Sequence, residues 1–130
     1  MSCCPDGSWG KLTTDYVGKG QEVTVGDMQV YYVGESEKCI LWCYDIFGFI
    51  PGTNGRTRQL ADYVADKGYF VVMPDFYRGG HCDPASAEQS ALIEFVQKNT
   101  QLAKVDADID AAVAFAKEKG GVFCLFYLFK

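Results

Sequence analysis

Cys39-Ile40-Leu41-Trp42-Cys43-Tyr44 is an uncharged, almost continuously apolar run, and no other feature of the 130 residues narrows the fold as much. A strand with one wet face alternates apolar and polar residues. One that is apolar throughout is buried on both faces, the habit of parallel strands covered by helices. Tyr69 to Met73 is a second such run, stopped by Pro74, and Val122 to Phe129 is a third. Between the first two, a helix opens at Arg56, carries Leu60, Ala61 and Val64 as its buried stripe, and closes at Lys67-Gly68. Pro84 to about Ala103 reads as helical, with Leu92, Ile93, Phe95 and Val96 apolar. Val105, Ile109, Ala112, Val113 and Ala116 recur at i, i+4, i+7, i+8 and i+11, the clearest amphipathic helix in the chain, ended by Gly120-Gly121.

Ahead of the first run, Glu22 to Val25 and Met28 to Val33 flank Gly26-Asp27, a two-residue turn signal that predicts a β-hairpin. Gly34 to Lys38 is a polar turn, and Phe47 to Asn54, with Gly48, Pro51 and Gly52, must be loop. The order is hairpin, strand, helix, strand, helical region, strand. It predicts an α/β fold in which an N-terminal β-hairpin precedes parallel strands joined by right-handed crossovers, with helices on both faces. No repeat or linker interrupts it, so residues 1–130 are expected to form a single domain.

Composition removes several functions. The net charge is −5, which argues against nucleic acid as a partner because phosphate neutralisation needs a basic face. Hydrophobic residues at 48% and charged ones at 22% fit a folded chain rather than a disordered one. The longest apolar run is far too short to span a bilayer as a helix, and Met1 to Asp6 has no signal-peptide pattern. A cytoplasmic chain with no membrane partner is expected. Six cysteines and one histidine offer neither a C-x2-C pair nor a second histidine, so no metal is expected; a secreted disulfide framework would want an export signal, and the thiols read as small reduced apolar groups. Gly48-x3-Gly52-x2-Gly55 has the wrong spacing for a dinucleotide loop, and the phosphate-loop motif and G-x-S-x-G are both missing from the sequence. No cofactor is implied.

Ligands of open α/β sheets bind beyond the carboxyl ends of the strands. Two polar clusters fall there, Asp45-Ile46-Phe47-Gly48 and Asp75-Phe76-Tyr77-Arg78-Gly79-Gly80-His81. Arg78 could hold a carboxylate through its forked guanidinium. The plainer readings are that Asp45 accepts the loop amides after it, Asp75 is a turn residue, Arg78 is a solvated charge and His81 lies in an exposed loop.

In combination, Trp42-Cys43-Tyr44-Asp45-Ile46-Phe47-Gly48, Arg58-Gln59-Leu60-Ala61-Asp62, Gly68-Tyr69 and Val71-Val72-Met73-Pro74-Asp75-Phe76-Tyr77-Arg78-Gly79 resemble the dienelactone hydrolases (carboxymethylenebutenolidases). The opening Cys3-Cys4-Pro5 and Gly7-Ser8 resembles eukaryotic members of that family. The resemblance implies a partial α/β-hydrolase fold whose C-terminal strands are missing, acting on a small ester or lactone that carries a carboxylate, through a Cys-His-Asp triad. It places Asp45 near the nucleophile, the backbone N–H of Ile46 in the oxyanion hole, and Arg78 on the substrate carboxylate. The family's nucleophile stands in G-x-C-x-G on a sharp strand-to-helix turn. Here Cys124 lies between Phe123 and Leu125, in a run that reads as strand. The strained turn needs glycines, so no complete catalytic set is expected, and His81 precedes the nucleophile where the family's histidine follows it. The expected function is that of a hydrolase-family chain inactive by itself. A non-catalytic small-carboxylate-binding or dimerising module is the alternative. A flavodoxin-like domain fits less well, because Pro84 to Lys119 is too long for one crossover. The apolar tail from Val122 to Phe129, as an exposed strand edge, is expected to drive self-association.

Overall fold

The computed structural model describes residues 12–52, 54–82 and 88–128. Its elements are β1 (Gln21–Val25), β2 (Met28–Val33), β3 (Lys38–Cys43), α1 (Arg56–Ala65), β4 (Phe70–Pro74), α2 (Gln89–Asn99), α3 (Leu102–Glu118) and β5 (Phe123–Leu128). They build one mixed sheet in the order β1-β2-β4-β3-β5. β1 and β2 form the hairpin turned at Gly26-Asp27, and β2 continues antiparallel onto β4. β3 is parallel to β4 on one side and to β5 on the other.

The strands are apolar at successive positions because they are covered twice. Side chains alternate across a sheet, so Met28, Val30, Cys39, Leu41, Phe70 and Val72 face one layer while Tyr31, Trp42, Val71 and Met73 face the other. The first layer is closed by Ala112, Phe115 and Ala116 of α3, the second by Ala61 of α1 with Leu60 and Val64 against it. Helices therefore sit on both faces. β4, between β2 and β3, is buried along its whole length.

α1 is anchored by charge as well as by its apolar stripe. Asp62 is 2% exposed, yet its carboxylate accepts the Tyr16 hydroxyl at 2.7 Å, the Lys19 amide at 2.8 Å and the Tyr31 hydroxyl. A buried carboxylate is tolerable only when donors replace its water, and here three do. Burial together with Asp62 pushes the Tyr16 phenol up to about 12.

Several boundaries differ from the sequence reading. β4 includes Pro74, which pairs with Val30 at the strand's end, and the ladder is continued by the Asp75 amide donating to Gln29 O. The boundary expected near Ala103 falls instead at Thr100, whose amide and hydroxyl both return to Val96 O and so end α2. β3 starts one residue earlier than expected and stops before Tyr44. The expected helical start at Pro84, the tail's Phe129 and the Cys3-Cys4-Pro5 motif lie outside the described residues.

Candidate active-site edge

Because β3 and β4 are parallel, the segments after them leave at one edge of the sheet. β2 runs the other way, so its N-terminal end and the hairpin turn at Asp27 arrive there too. Tyr44 to Pro51, Asp75 to Cys82 and Asp27 to Gln29 thus meet beyond the carboxyl ends of the parallel strands.

The first two segments are locked together below the surface. The buried Tyr44 hydroxyl donates to Asp75 Oδ1 at 2.8 Å, and the Gly79 amide donates to Asp75 Oδ2 at 2.7 Å. The Tyr77 amide reaches Asp75 Oδ1 at 3.3 Å. Asp75 is the turn residue of its loop, buried and satisfied. Burial, reinforced by the charge on Asp75, raises the Tyr44 phenol far above its ordinary range, so the hydroxyl stays protonated as a donor.

Around the loop after β3 the carbonyls are held from outside. Ile46 O accepts the Cys82 amide at 2.8 Å, Gly48 O accepts Asn54 Nδ2 at 2.7 Å, and Phe49 O accepts Arg58 Nε at 2.9 Å. Asp45 is exposed and folds its own loop, Oδ1 accepting the Phe47 amide at 2.9 Å while its carbonyl accepts the Gly48 amide. Gly48 takes φ 75°, and a Cβ there would stand 3.3 Å from His81 Cβ. That conformation disfavours L side chains, so the tight bend between Asp45 and Phe49 depends on this glycine. Among the described residues the Ile46 N–H donates to nothing. A fixed peptide with an unspent N–H is what stabilisation of a developing oxyanion requires.

Arg78 is arranged differently. It is the one described non-glycine residue with positive φ, at 51°. Its Nη1 and Nη2 donate to the two oxygens of Asp108 at 2.9 and 2.8 Å, Nη2 also meets Asp27 at 2.9 Å, and Nη1 meets Asp75 O at 3.1 Å. Among the described residues its buried Nε has no partner. The bonds to Asp108 raise the guanidinium's pKa further, and the bond from Arg78 holds Asp27 below its ordinary value. The structure thus gives this arginine two internal carboxylates, a forked pair with α3 and a single contact with the hairpin turn.

The expected site residues therefore share one edge of the sheet. Asp45 and Ile46 sit on one loop, Arg78 on the next and turned toward α3. His81 is exposed, and no hydrogen bond joins it to a thiol or carboxylate among the described residues. Cys43 is half-buried and burial raises its thiol's pKa, which disfavours the reactive thiolate. Cys124 is aligned with Cys39 inside β5, and the strand continues to Leu128. Among the described residues no cluster of three or more His, Cys, Asp or Glu could hold a metal ion, and no helix is long and apolar enough to cross a membrane.

Sequence reading assigned no role at this edge to Asp108, Tyr44 or Arg58. Asp108 had a signal, since it lies three residues after Val105 and four before Ala112, on the buried stripe. A carboxylate on such a stripe needs donors from a neighbouring segment. Arg58 likewise shares a helix side with buried Ala61 and Asp62.

The family model that matches this chain is that of the dienelactone hydrolase family, over residues 29–124. A carboxymethylenebutenolidase homolog of Rattus norvegicus is 30% identical over 108 residues, covering 81% of this chain and 42% of its own length. An endo-1,3;1,4-beta-D-glucanase of Zea mays is 37% identical over 97 residues, 73% of this chain and 29% of that protein. A solved structure of a Klebsiella pneumoniae protein described as a dienelactone hydrolase superposes with a TM-score of 0.62 at 22% identity, over 82% of this chain and 48% of the other. The chain thus spans less than half the length of each of these proteins.

Proposed function

The chain belongs to the dienelactone hydrolase family, and from that premise we propose that it supplies the oxyanion-receiving portion of an ester- or lactone-hydrolysing site. The Ile46 peptide carries this reading. Its N–H has no acceptor among the described residues, the Asp45 and Ile46 carbonyls on either side are held by the Gly48 and Cys82 amides, and it stands three residues beyond β3 at the ligand edge of the sheet. Asp45 follows the strand at the position the family gives to the acid beside its thiol. Arg78 would take up a substrate carboxylate only by releasing Asp27, its exposed partner, while Asp108 keeps the guanidinium in place.

The 130 residues by themselves are proposed to be hydrolytically inactive. They contain no G-x-C-x-G, and the backbone at Cys124 is strand, in register with Cys39, rather than a strand-to-helix turn. Loss of the nucleophile from such a set costs on the order of a millionfold in turnover. The test is hydrolysis of p-nitrophenyl acetate by the 130-residue chain before and after iodoacetamide. Background rates unchanged by alkylation are expected; turnover that alkylation abolishes would overturn the reading.

A further inference from the structure

We propose that the chain holds a binding site for a small organic carboxylate, built on Arg58. This inference stands apart from the hydrolase reading and does not depend on it.

A cavity of about 670 Å³ opens between the β1–β2 hairpin, the loop at Phe49 to Pro51 and the start of α1. Val17, Tyr31, Phe49, Ile50 and Pro51 give it apolar walls, and Arg58 is its cation. Arg58 is only 6% exposed. Its guanidinium carbon lies 4.9 Å from the Tyr31 ring centre and 5.1 Å from that of Phe49, so aromatic rings cover the group. Nε is fixed by Phe49 O at 2.9 Å and Nη1 by Val17 O at 3.2 Å. These contacts set the plane and leave Nη2 as the donor addressed to a carboxylate.

A carboxylate already stands there. Glu22 Oε1 pairs with Nη2, from a side chain 49% exposed on the edge strand. The cation is held rigidly by backbone, whereas its anion reaches in from solvent and can leave at little cost. Glu22 thus acts as a resident stand-in for a ligand carboxylate. The walls add a requirement for apolar bulk, so the ligand class is an aryl or branched-alkyl carboxylate. Arg78 cannot offer the same geometry while Asp108 occupies its fork.

The experiment titrates the isotope-labelled 130-residue chain with sodium phenylacetate, following the amides of Val17 and Phe49 and the Arg58 Nε resonance by NMR. Saturable shifts are expected in the wild type. Glu22→Gln, which removes the competing anion at an exposed position, should tighten binding about two- to fivefold. Arg58→Lys should abolish it. Benzyl alcohol, with the same ring and no charge, should not saturate. Because Arg58→Lys could unfold the chain, the Glu22→Gln result decides. Absence of saturation in both wild type and Glu22→Gln, weaker binding in Glu22→Gln, or equal binding of benzyl alcohol would each overturn the proposal.

Discussion

The loops after β3 and β4 leave the same edge of the sheet with similar polar content, yet they have opposite characters. The first, Tyr44 to Pro51, has carbonyls held by neighbours and leaves a backbone donor unspent among the described residues. The second, Asp75 to Cys82, turns its charges inward, with Asp75 satisfied by Tyr44 and its own amides and Arg78 by Asp108. A receptive loop arises when its acceptors are saturated and a donor is not. A structural loop arises when opposite charges find each other first. The first stays open because the second is closed, since Cys82 and Asp75 are what hold it.

If that contrast is right, Asp108→Ala should have the largest effect. It strands a partly buried guanidinium and should cost about 3 kcal/mol, read from urea unfolding. A loss near zero would mean that Arg78 is solvated and the second loop is as open as the first. Tyr44→Phe removes the bond between the loops and should cost about 1.5 kcal/mol, the value of a hydrogen bond to a charged group. It should also speed amide exchange at Ile46 and Cys82, and unchanged exchange would uncouple the loops. Gly48→Ala imposes a side chain at positive φ beside His81 and should cost about 1 kcal/mol, with shifted His81 resonances. The smallest effect concerns Asp27. Its carboxyl should titrate below the ordinary 3.8 in the wild type and return toward it in Arg78→Gln. A depressed carboxyl adds stability above its unfolded-state pKa and loses it as pH falls through the folded one. Any contribution from Asp27 therefore disappears only on acidification below the ordinary carboxylate range.

The fold was legible wherever neighbours in sequence decide structure. The Gly26-Asp27 turn, the doubly apolar strands and the α3 stripe each write their geometry into a few adjacent residues. Boundaries were less legible, because Thr100 ends α2 through a side-chain bond that competes with the helix rather than through a glycine or proline. The site was legible as two clusters on one edge and no further. What separates them is the Arg78–Asp108 pair, 30 residues apart in sequence, and no local pattern specifies such a partner. Arg58 was hidden similarly, since its acceptors are the carbonyls of Val17 and Phe49, and carbonyls are the same at every residue.

The register between β3 and β5 sets an order of assembly. The hairpin joins β1 to β2 across a two-residue turn, whereas Lys38 meets Phe123 only after about 85 intervening positions have been threaded through α1, β4 and two more helices. Closure of so long a loop gains nothing until both ends are in place. On a ribosome, the hairpin, β3, α1 and β4 can collapse while α3 is still being made. β5 then arrives late, onto a template whose direction and alignment its neighbour has already decided.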